Sequence, residues 1–353
     1  MTRWVATAPG KVVLLGEYAV LDGTPALVQA VDRRCRVTLE PCSAAGACIE
    51  APQLGIEPVQ FSLEPGGQVQ WPDRMPAAFQ RTAALIDSVL AHVRNLGGQA
   101  QSFRMRIDTS ELFDADGGRP VKLGLGSSAA SAVAIDAALH AAFVGQNGRE
   151  SEARTVARLL VPGRQAQGNA GSGIDLAAGL CGGLLAYRIS GREIEIARLA
   201  LPEAIETCFV WAGAPASTAD LLAAWRRSRE TSPDAHERLL GRMQAVAISG
   251  LEAVERGEAA RILDCWSEYG RLMGKMNDLV GREIVTAEHR IAGSLAERLG
   301  GVYKPCGAGG GDLGLAASLD AGFCDRLQRS CREAGLKVLP IRPAAEGVCV
   351  TRE

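Results

Sequence analysis

The 353-residue sequence has only four histidines, and none of its ten cysteines forms a Cys-x-x-Cys pair. A structural zinc site, which usually draws on such closely spaced ligands, is therefore not expected, and the cysteines are predicted to be reduced and buried. No uninterrupted apolar run reaches the roughly 18 residues that a membrane helix requires, and the amino terminus has no apolar leader segment. We expect a soluble cytoplasmic protein without a membrane partner.

A dominant charge of one sign is also missing, since 38 basic and 40 acidic residues give a formal net charge of -2. Without a global field the chain is not expected to bind nucleic acid or an anionic membrane. Lysine is scarce at five of the 38 basic residues, yet Lys11, Lys122 and Lys304 all stand in or beside glycine-rich segments. An anionic small molecule would have to be bound by such a local group of cations.

The common Walker A loop is absent, because neither Gly10-Lys11 nor Gly274-Lys275 is followed by Ser or Thr. The sequence instead carries KLGLGSSAA over residues 122–130, directly ahead of an Ala-rich helical pattern. Glycine lets the backbone approach a ligand, and the N–H groups at a helix start attract anions. This segment is predicted to hold phosphate groups, although Ser127 and Ser128 would also serve as ordinary helix caps.

Three further segments combine glycine with a charged residue. Lys11 begins an apolar strand, where an ammonium is costly unless it meets an anion or lies at a solvated turn. Residues 304–314 contain five glycines ahead of a short apolar strand, which indicates a backbone wrapped around a ligand or else a flexible loop. Asp175 follows the glycines of residues 168–173 and would either cap a helix or orient an acceptor near Lys11.

Hydrophobic periodicity predicts an α+β fold in two domains, residues 1–195 and 196–353, joined near residues 190–205. In the first half, strands are predicted at 12–15, 35–39, 103–107 and 184–189, with helices at 77–96 and 127–143. In the second half, several helices are predicted between 220 and 299 and another at 320–334, with strands at 208–211, 313–317, 338–339 and 348–350.

Taken in this order, the glycine-rich segments resemble the three signature motifs of the GHMP kinases, and the similarity extends from Ala8 to Gly314. The resemblance implies an amino-terminal domain of the ribosomal S5 domain 2-like type, a ferredoxin-like carboxy-terminal domain and an active site between them. It also implies ATP and Mg²⁺ as cofactors and a small-molecule acceptor, with the adenine pocket expected within residues 60–115. The assembly is expected to be a monomer or a homodimer.

The same resemblance assigns roles to individual residues. Lys11 and Asp175 are expected at the point of phosphoryl transfer, and Ser128 is expected to face the metal. The triphosphate would be held by Lys122, Gly124, Leu125, Gly126, Ser127, Ser128 and Ala129. The acceptor is expected to contact Glu17, Tyr18, Ser172, Gly173, Ser217, Gly307, Ala308, Gly309 and Gly310.

Several details resemble the branch of the family whose acceptor is phosphomevalonate. Lys122 stands just before the glycine loop, the third motif ends in Gly-Gly-Gly-Asp, and residues 211–218 read WAGAPAST. Arg164 occupies the position at which mevalonate kinases carry a metal-binding glutamate. The alternatives are a GHMP kinase that acts on mevalonate or another hydroxylated substrate, and a non-catalytic ligand sensor with this fold.

Overall fold

A computed structural model describes residues 2–42, 46–64, 68–114, 120–145, 150–166, 171–213 and 217–353. The strands in this part of the chain are β1 Trp4–Leu15, β2 Ala26–Pro41, β3 Ala47–Ala51, β4 Ile56–Leu63, β5 Val69–Gln70, β6 Phe103–Asp108, β7 Phe113–Asp114, β8 Val121–Lys122, β9 Leu184–Ser190, β10 Glu193–Leu199, β11 Glu206–Trp211, β12 Val302–Pro305, β13 Leu313–Ser318, β14 Lys337–Leu339 and β15 Cys349–Arg352. The helices are α1 Ala77–Asn95, α2 Ser127–Phe143, α3 Glu152–Ala166, α4 Ile174–Cys181, α5 Thr218–Thr231, α6 Pro233–Arg256, α7 Ala259–Val280, α8 Ala287–Arg298 and α9 Phe323–Glu333.

The larger sheet is built around β2, whose 16 residues pair with β1, β6 and β9. Its strands follow the order β10-β9-β2-β6-β3-β4-β5, and β1 pairs with both β2 and β15. Most of these pairs are antiparallel, whereas β3 and β6 run parallel. The alternation of buried and exposed residues along β6 shows that one face of this sheet is covered. Helix α2 packs there because its alanines at 130, 134 and 138 are small and buried.

The smaller sheet has the antiparallel order β12-β13-β11-β14 and is accompanied by helices α5 to α9. One continuous apolar core includes β1 residues such as Leu15 together with Trp225, Trp266 and Tyr269 of α5 and α7. A second, smaller core contains Phe323 and Leu327 of α9 and lies against the smaller sheet. The two-domain α+β architecture is therefore confirmed, and the domains share their main core.

The predicted helices and strands lie where expected, but the domain junction needs a correction. Residues 190–193 form the tight turn between the antiparallel strands β9 and β10, so the boundary drawn between 195 and 196 falls inside β10 of the larger sheet. The Ser-Gly-Arg break is a hairpin, which the same turn residues form as readily as a linker. We propose residues 200–205 as the connection. Strand β15, at the chain end, also pairs with β1 in the larger sheet.

Within the described residues, none of the helices is both long and apolar enough to cross a membrane.

Candidate active site

The segment predicted to hold phosphate groups, residues 122–130 (the phosphate loop), forms a tight loop that leads from β8 into α2. Gly124 and Gly126 have φ values of 74° and 76°, a left-handed conformation that favours glycine. Gly126 is the residue before the helix, and its carbonyl oxygen accepts hydrogen bonds from the N–H groups of Ala129 and Ala130, both at 3.0 Å. The first N–H groups of a helix have no partner inside it, and the helix dipole makes this end positive. The loop therefore has the geometry of an anion site.

The two serines of this loop differ in exposure. Ser127 is buried and its carbonyl oxygen accepts a hydrogen bond from the Ser131 hydroxyl, whereas Ser128 is exposed. Gly126 precedes the helix without any side-chain capping bond, so the alternative role of the serines as caps is not realised. The Ser128 hydroxyl lies on the first turn of α2 and faces solvent.

Lys11 and Asp175 meet beside this loop. The backbone N–H of Lys11 donates to the carbonyl oxygen of Leu125 at 2.9 Å, which fixes β1 against the loop. The Lys11 Nζ lies 3.6 Å from Asp175 Oδ1 on the first turn of α4, and the two side chains are 11% and 38% exposed. A β-carbon on Gly126 would lie 3.1 Å from Lys11 Cε and 3.5 Å from Asp175 Oδ2. Three sequence segments thus converge on one partly open point.

The third glycine segment lies against the same loop from the other domain. Asp312 has a left-handed backbone at φ 54°, which aspartate tolerates better than most residues. A β-carbon on Gly124 would lie only 2.6 Å from the Asp312 Cβ, so Gly124 must be glycine for this contact. The Asp312 carbonyl oxygen accepts the N–H of Ala212 at 2.8 Å. Asp312 was absent from the predicted site residues, although the Gly-Gly-Gly-Asp pattern pointed to it.

Comparison with known proteins shows the family to which this chain belongs. Residues 84–183 match the family model of the GHMP kinases N terminal domain. The phosphomevalonate kinase of Streptomyces sp. (strain CL190) is 31% identical over 374 aligned residues, which cover 98% of this chain and 98% of the relative. The chain belongs to the GHMP kinase family. It is accordingly a phosphotransferase, and the resemblance stated from its motifs is confirmed.

Two further similar proteins have lower sequence identity. The mevalonate kinase of Aeropyrum pernix is 27% identical over 311 residues, covering 88% of this chain and 87% of the relative. The solved structure of Streptococcus pneumoniae phosphomevalonate kinase in complex with phosphomevalonate and AMPPNP has a TM-score of 0.76 and 20% identity, and it covers 96% of this chain and 99% of that one. At that identity the structural likeness shows the fold alone.

Two predicted acceptor contacts of this GHMP kinase lie inside the protein. Glu17 is buried, and its Oε1 lies 2.5 Å from the Nζ of Lys304, which is itself fully buried. Burial raises the pKa of Glu17 above its usual value, and the charge and hydrogen bond of Lys304 oppose the rise. Tyr18 is buried with φ 62°, and its hydroxyl donates to the carbonyl oxygen of Ala308 at 2.5 Å. Glu17 and Tyr18 therefore bind the other domain, and Lys304 is not a free phosphate contact.

The glycines of the third segment serve different purposes. A β-carbon on Gly309 would lie 2.5 Å from the carbonyl oxygen of Ile284, and Gly310 donates its N–H to that oxygen at 2.8 Å. These two positions pack against the protein, which gives a structural reason for glycine there. Gly307, in contrast, has open space around it and φ 69°. A ligand therefore has room beside Gly307.

His289 forms hydrogen bonds that hold the third glycine segment in place. Its Nε2 lies 2.9 Å from the carbonyl oxygen of Gly311, which only accepts, so Nε2 carries the proton. Its Nδ1 then accepts from the hydroxyl of Tyr303 at 2.8 Å. Burial lowers the pKa of His289 to about 4, so the imidazole is neutral at physiological pH. This chain of hydrogen bonds holds the backbone next to Asp312.

The remaining predicted contacts lie just before α4 and α5. The Ser172 carbonyl oxygen accepts the Tyr187 hydroxyl at 2.6 Å, and a β-carbon on Gly173 would lie 2.9 Å from that hydroxyl. Ser217 is exposed and caps α5, where its hydroxyl accepts the N–H of Asp220 at 3.4 Å. Residues 167–170 and 214–216, together with the side chain of Arg164, lie outside the described part of the chain.

Lys122 is exposed on β8 at the entrance to the loop. A cavity of about 260 Å³ adjoins the third segment at the end of β11, and its lining includes Trp211, Thr286, Gly310 and Lys337. This cavity borders the third segment, but Lys11 and Asp175 are not part of its lining.

Proposed function

We propose that this GHMP kinase transfers the γ-phosphoryl group of ATP to 5-phosphomevalonate and so forms 5-diphosphomevalonate for isoprenoid precursor synthesis. The observation that carries the choice of acceptor is the 31% identity, over 98% of both chains, to a protein named as phosphomevalonate kinase. The details of Lys122 and the Gly-Gly-Gly-Asp motif favour the same acceptor.

In this proposal the nucleotide's phosphates bind at the start of α2. The open N–H groups after Gly126 supply hydrogen bonds, and the positive end of the helix dipole adds a fixed favourable field. Lys122, exposed at the entrance to the loop, adds a mobile positive charge. The buried side chains of Leu123 and Leu125 anchor the loop in the core, so the phosphate-binding backbone needs little reorganisation.

The residues present fit a bound Mg²⁺. The described residues contain no group of three or more His, Cys, Asp or Glu side chains that would form a complete protein cage. Mg²⁺ usually takes only one or two protein carboxylates and completes its shell with water and nucleotide oxygens. The Ser128 hydroxyl and the carboxylates of Asp175 and Asp312, which flank Gly126 and Gly124, would hold it. When bound, the ion neutralises charge on the phosphates.

Lys11 is proposed to stabilise the transferred group. The transition state of phosphoryl transfer is loose, so a protein contributes mainly alignment and positive charge at the equatorial oxygens. The Lys11 ammonium lies beside Gly126, next to the expected phosphate position, and retains some exposure toward the cleft. Its backbone bond to Leu125 keeps it in register with the loop.

Asp175 is proposed to position Lys11 and the acceptor without acting as an obligatory base. A phosphate monoester has a second pKa near ~6 and offers an anionic oxygen at neutral pH, whereas a hydroxyl acceptor would need its proton removed. Asp175→Asn should accordingly retain measurable turnover with phosphomevalonate. Complete loss of turnover in a folded Asp175→Asn protein would instead favour proton abstraction.

A second candidate acceptor is mevalonate, which the 27% identical relative named as a mevalonate kinase favours. The deciding experiment measures ADP release with ATP, Mg²⁺ and, in turn, phosphomevalonate, mevalonate, galactose and homoserine. The proposal expects kcat/KM for phosphomevalonate to exceed that for each other acceptor at least about 100-fold, because buried or paired cations that recognise a phosphate discriminate strongly against its absence. Preference for mevalonate, or nucleotide binding without turnover, would overturn it.

A further inference from the structure

A second lysine–carboxylate pair joins the two domains away from solvent. Glu17 follows β1 of the larger sheet, and Lys304 lies on β12 of the smaller one. Their charged atoms are 2.5 Å apart, and the side chains are 2% and 0% exposed. Tyr269 of α7 seals the pair, since its hydroxyl donates to the Glu17 carbonyl oxygen at 2.6 Å and its ring centre is 6.0 Å from the Lys304 ammonium.

Stability alone is a poor explanation for these two buried charges. Taking an ammonium and a carboxylate out of water is expensive, and well-packed apolar residues of similar size are often at least as stabilising. What an ion pair provides beyond an apolar contact is direction, because its short hydrogen bond fixes the relative position of two backbones. The position of the pair in the chain shows which backbones those are.

The pair joins the region just after β1, the strand that carries Lys11, to the start of the third glycine segment. Glu17 is connected to Lys11 through the buried strand β1, and the adjacent Tyr18 donates to Ala308 within the third glycine segment. Lys304 begins that same segment, whose far end is held against the phosphate loop by the contact of Asp312 with Gly124. The third glycine segment thus contacts the first domain at its beginning through Lys304, in its middle through Ala308 and at its end through Asp312.

We propose that Glu17 and Lys304 are a positioning pair: they hold the third glycine segment at a fixed distance from Lys11, and phosphoryl transfer depends on them although neither touches a substrate. Without the pair the segment would keep its sequence but lose its register against the phosphate loop. Misplacement of aligned groups by about 1 Å is enough to slow a reaction about 100-fold. The consequence for turnover rests on the proposed function, whereas the consequence for loop order does not.

The test uses Lys304→Met, Glu17→Gln and the double variant in the full chain, with Leu327→Ala as the matched control. Leu327 is equally buried but belongs to the separate core of α9, so its loss destabilises the second domain without touching the pair. We expect each single variant to lower kcat at least about 30-fold with the KM for ATP within about threefold. The double variant leaves no unpaired charge and should regain stability, but its kcat should stay at least about tenfold below that of the wild type because the directed contact is still missing.

Amide hydrogen exchange of residues 306–312 in the nucleotide-free enzyme gives a readout that needs no acceptor. Exchange there should be faster in both single variants than in wild type or Leu327→Ala. If the wild type phosphorylates none of the four acceptors, the proposed function fails while this measurement still judges the pair. Unchanged exchange, or an activity loss in Leu327→Ala as large as in Lys304→Met, would overturn the positioning role.

Glu17→Asp keeps the test decisive if the single variants fail to fold. It retains the charge and shortens the side chain by one methylene, so it changes the distance that the pair enforces with little effect on burial. We expect a folded protein whose kcat is about tenfold lower. Wild-type kcat in this variant would contradict the proposal, because the contact length would then be irrelevant.

Discussion

Two lysine–carboxylate pairs in this kinase have the same chemistry and different surroundings. Lys11 and Asp175 are 3.6 Å apart with 11% and 38% of their side chains exposed, at the start of α4 beside the phosphate loop. Lys304 and Glu17 are 2.5 Å apart and sealed between the domains. Water can solvate either member of the first pair, and a ligand can reach it. The second pair is compensated inside the protein, by the contact between its own members, by backbone hydrogen bonds to Glu17 and by the Tyr269 ring.

Comparison of the two pairs indicates that the exposure of a lysine, more than its residue type, determines whether it can contact a ligand. Both lysines stand in glycine-rich segments, and the sequence suggested both as phosphate contacts. A partly exposed ammonium can exchange its carboxylate partner for a phosphate at small cost, because exposed pairs contribute little to stability. A fully buried one cannot, since leaving its partner uncompensated is expensive. Substitutions at the two pairs should therefore affect different quantities.

The largest expected effect is a loss of turnover when Lys11 is replaced in the partly exposed Lys11–Asp175 pair, here called the open pair. Lys11→Met should lower kcat about 10³-fold, because a charge aimed at the transferred group contributes mainly in the transition state. ATP affinity, measured by calorimetry, should stay within about threefold, and the free energy of unfolding within about 1 kcal/mol. Lys275→Met, which removes an exposed lysine of α7 that is not among the predicted site residues, is the control and should leave kcat unchanged. A rate equal to that of the wild type would exclude Lys11 from catalysis.

The second-largest expected effect is a difference in the free energy of unfolding between variants of the two pairs. Glu17→Gln and Asp175→Asn make the same chemical change, a carboxylate to an amide of equal size. Glu17→Gln leaves the Lys304 charge buried and should lower the free energy of unfolding by about 3–5 kcal/mol. Asp175→Asn leaves Lys11 partly hydrated and should change it by about 0.5 kcal/mol or less. Equal losses in urea titrations of the two variants would contradict the contrast drawn here.

A smaller effect concerns the backbone that carries the open pair. Gly126→Ala puts a β-carbon 3.1 Å from Lys11 Cε at φ 76°. Gly257→Ala at the end of α6 has a similar φ of 69° and open space around it, so it is the matched control. Both should lose about 1–2 kcal/mol of stability from the left-handed conformation. Gly126→Ala alone should also lower kcat, and an equal activity of the two variants would show that the contact with Lys11 is unimportant.

Much of the fold, and the open pair, could be predicted from the sequence, because local signals determine them. The period of the apolar residues predicted α1 and α2 and the strands around them. The glycine loop ahead of an Ala-rich helix predicted the anion site, and Lys11, Gly126 and Asp175 lie together in the structure as expected. Each of these inferences needs only residues near in sequence or a motif order already typical of the family.

The remaining features depend on long-range packing. Burial of Lys304 arises because β12, α7 and the end of β1 meet, and no local pattern encodes that meeting. The composition of residues 190–193 predicts a domain junction, whereas these residues form the β9–β10 hairpin, because turn and linker compositions are alike. Strands β3 and β4 were missed, and β12 lay within a glycine-rich stretch whose side chains suggested a ligand loop.

A third group of charges includes Asp136 and His140 of α2 and adds titratable residues to the comparison. The Nδ1 of His140 is 3.2 Å from Asp136 Oδ1, and the guanidinium of Arg158 binds both oxygens of Asp136 at 2.7 and 3.1 Å. His92 faces this group with its ring centre 5.2 Å from that of His140, and Glu150 binds Arg158. The group is intermediate between the open pair and the sealed pair, because its members are only partly exposed.

The smallest expected effect is the pH dependence of this third group. Burial alone would lower the pKa of His140, but the hydrogen bond and charge of Asp136 outweigh it and raise the pKa above its usual value. A raised pKa means that the imidazolium stabilises the fold fully below the unfolded value of about 6.5, and that this stabilisation is lost as pH rises through the folded value. The free energy of unfolding of the wild type minus that of His140→Gln should therefore fall as pH rises from 6 to 8, by about 1 kcal/mol or less. Because the charge of His140 is one cause of the lowered pKa of His92, the same difference is also measured in a His92→Gln background, where it isolates His140. A difference that stays flat, or grows, with pH would mean that Asp136 is compensated by Arg158 alone.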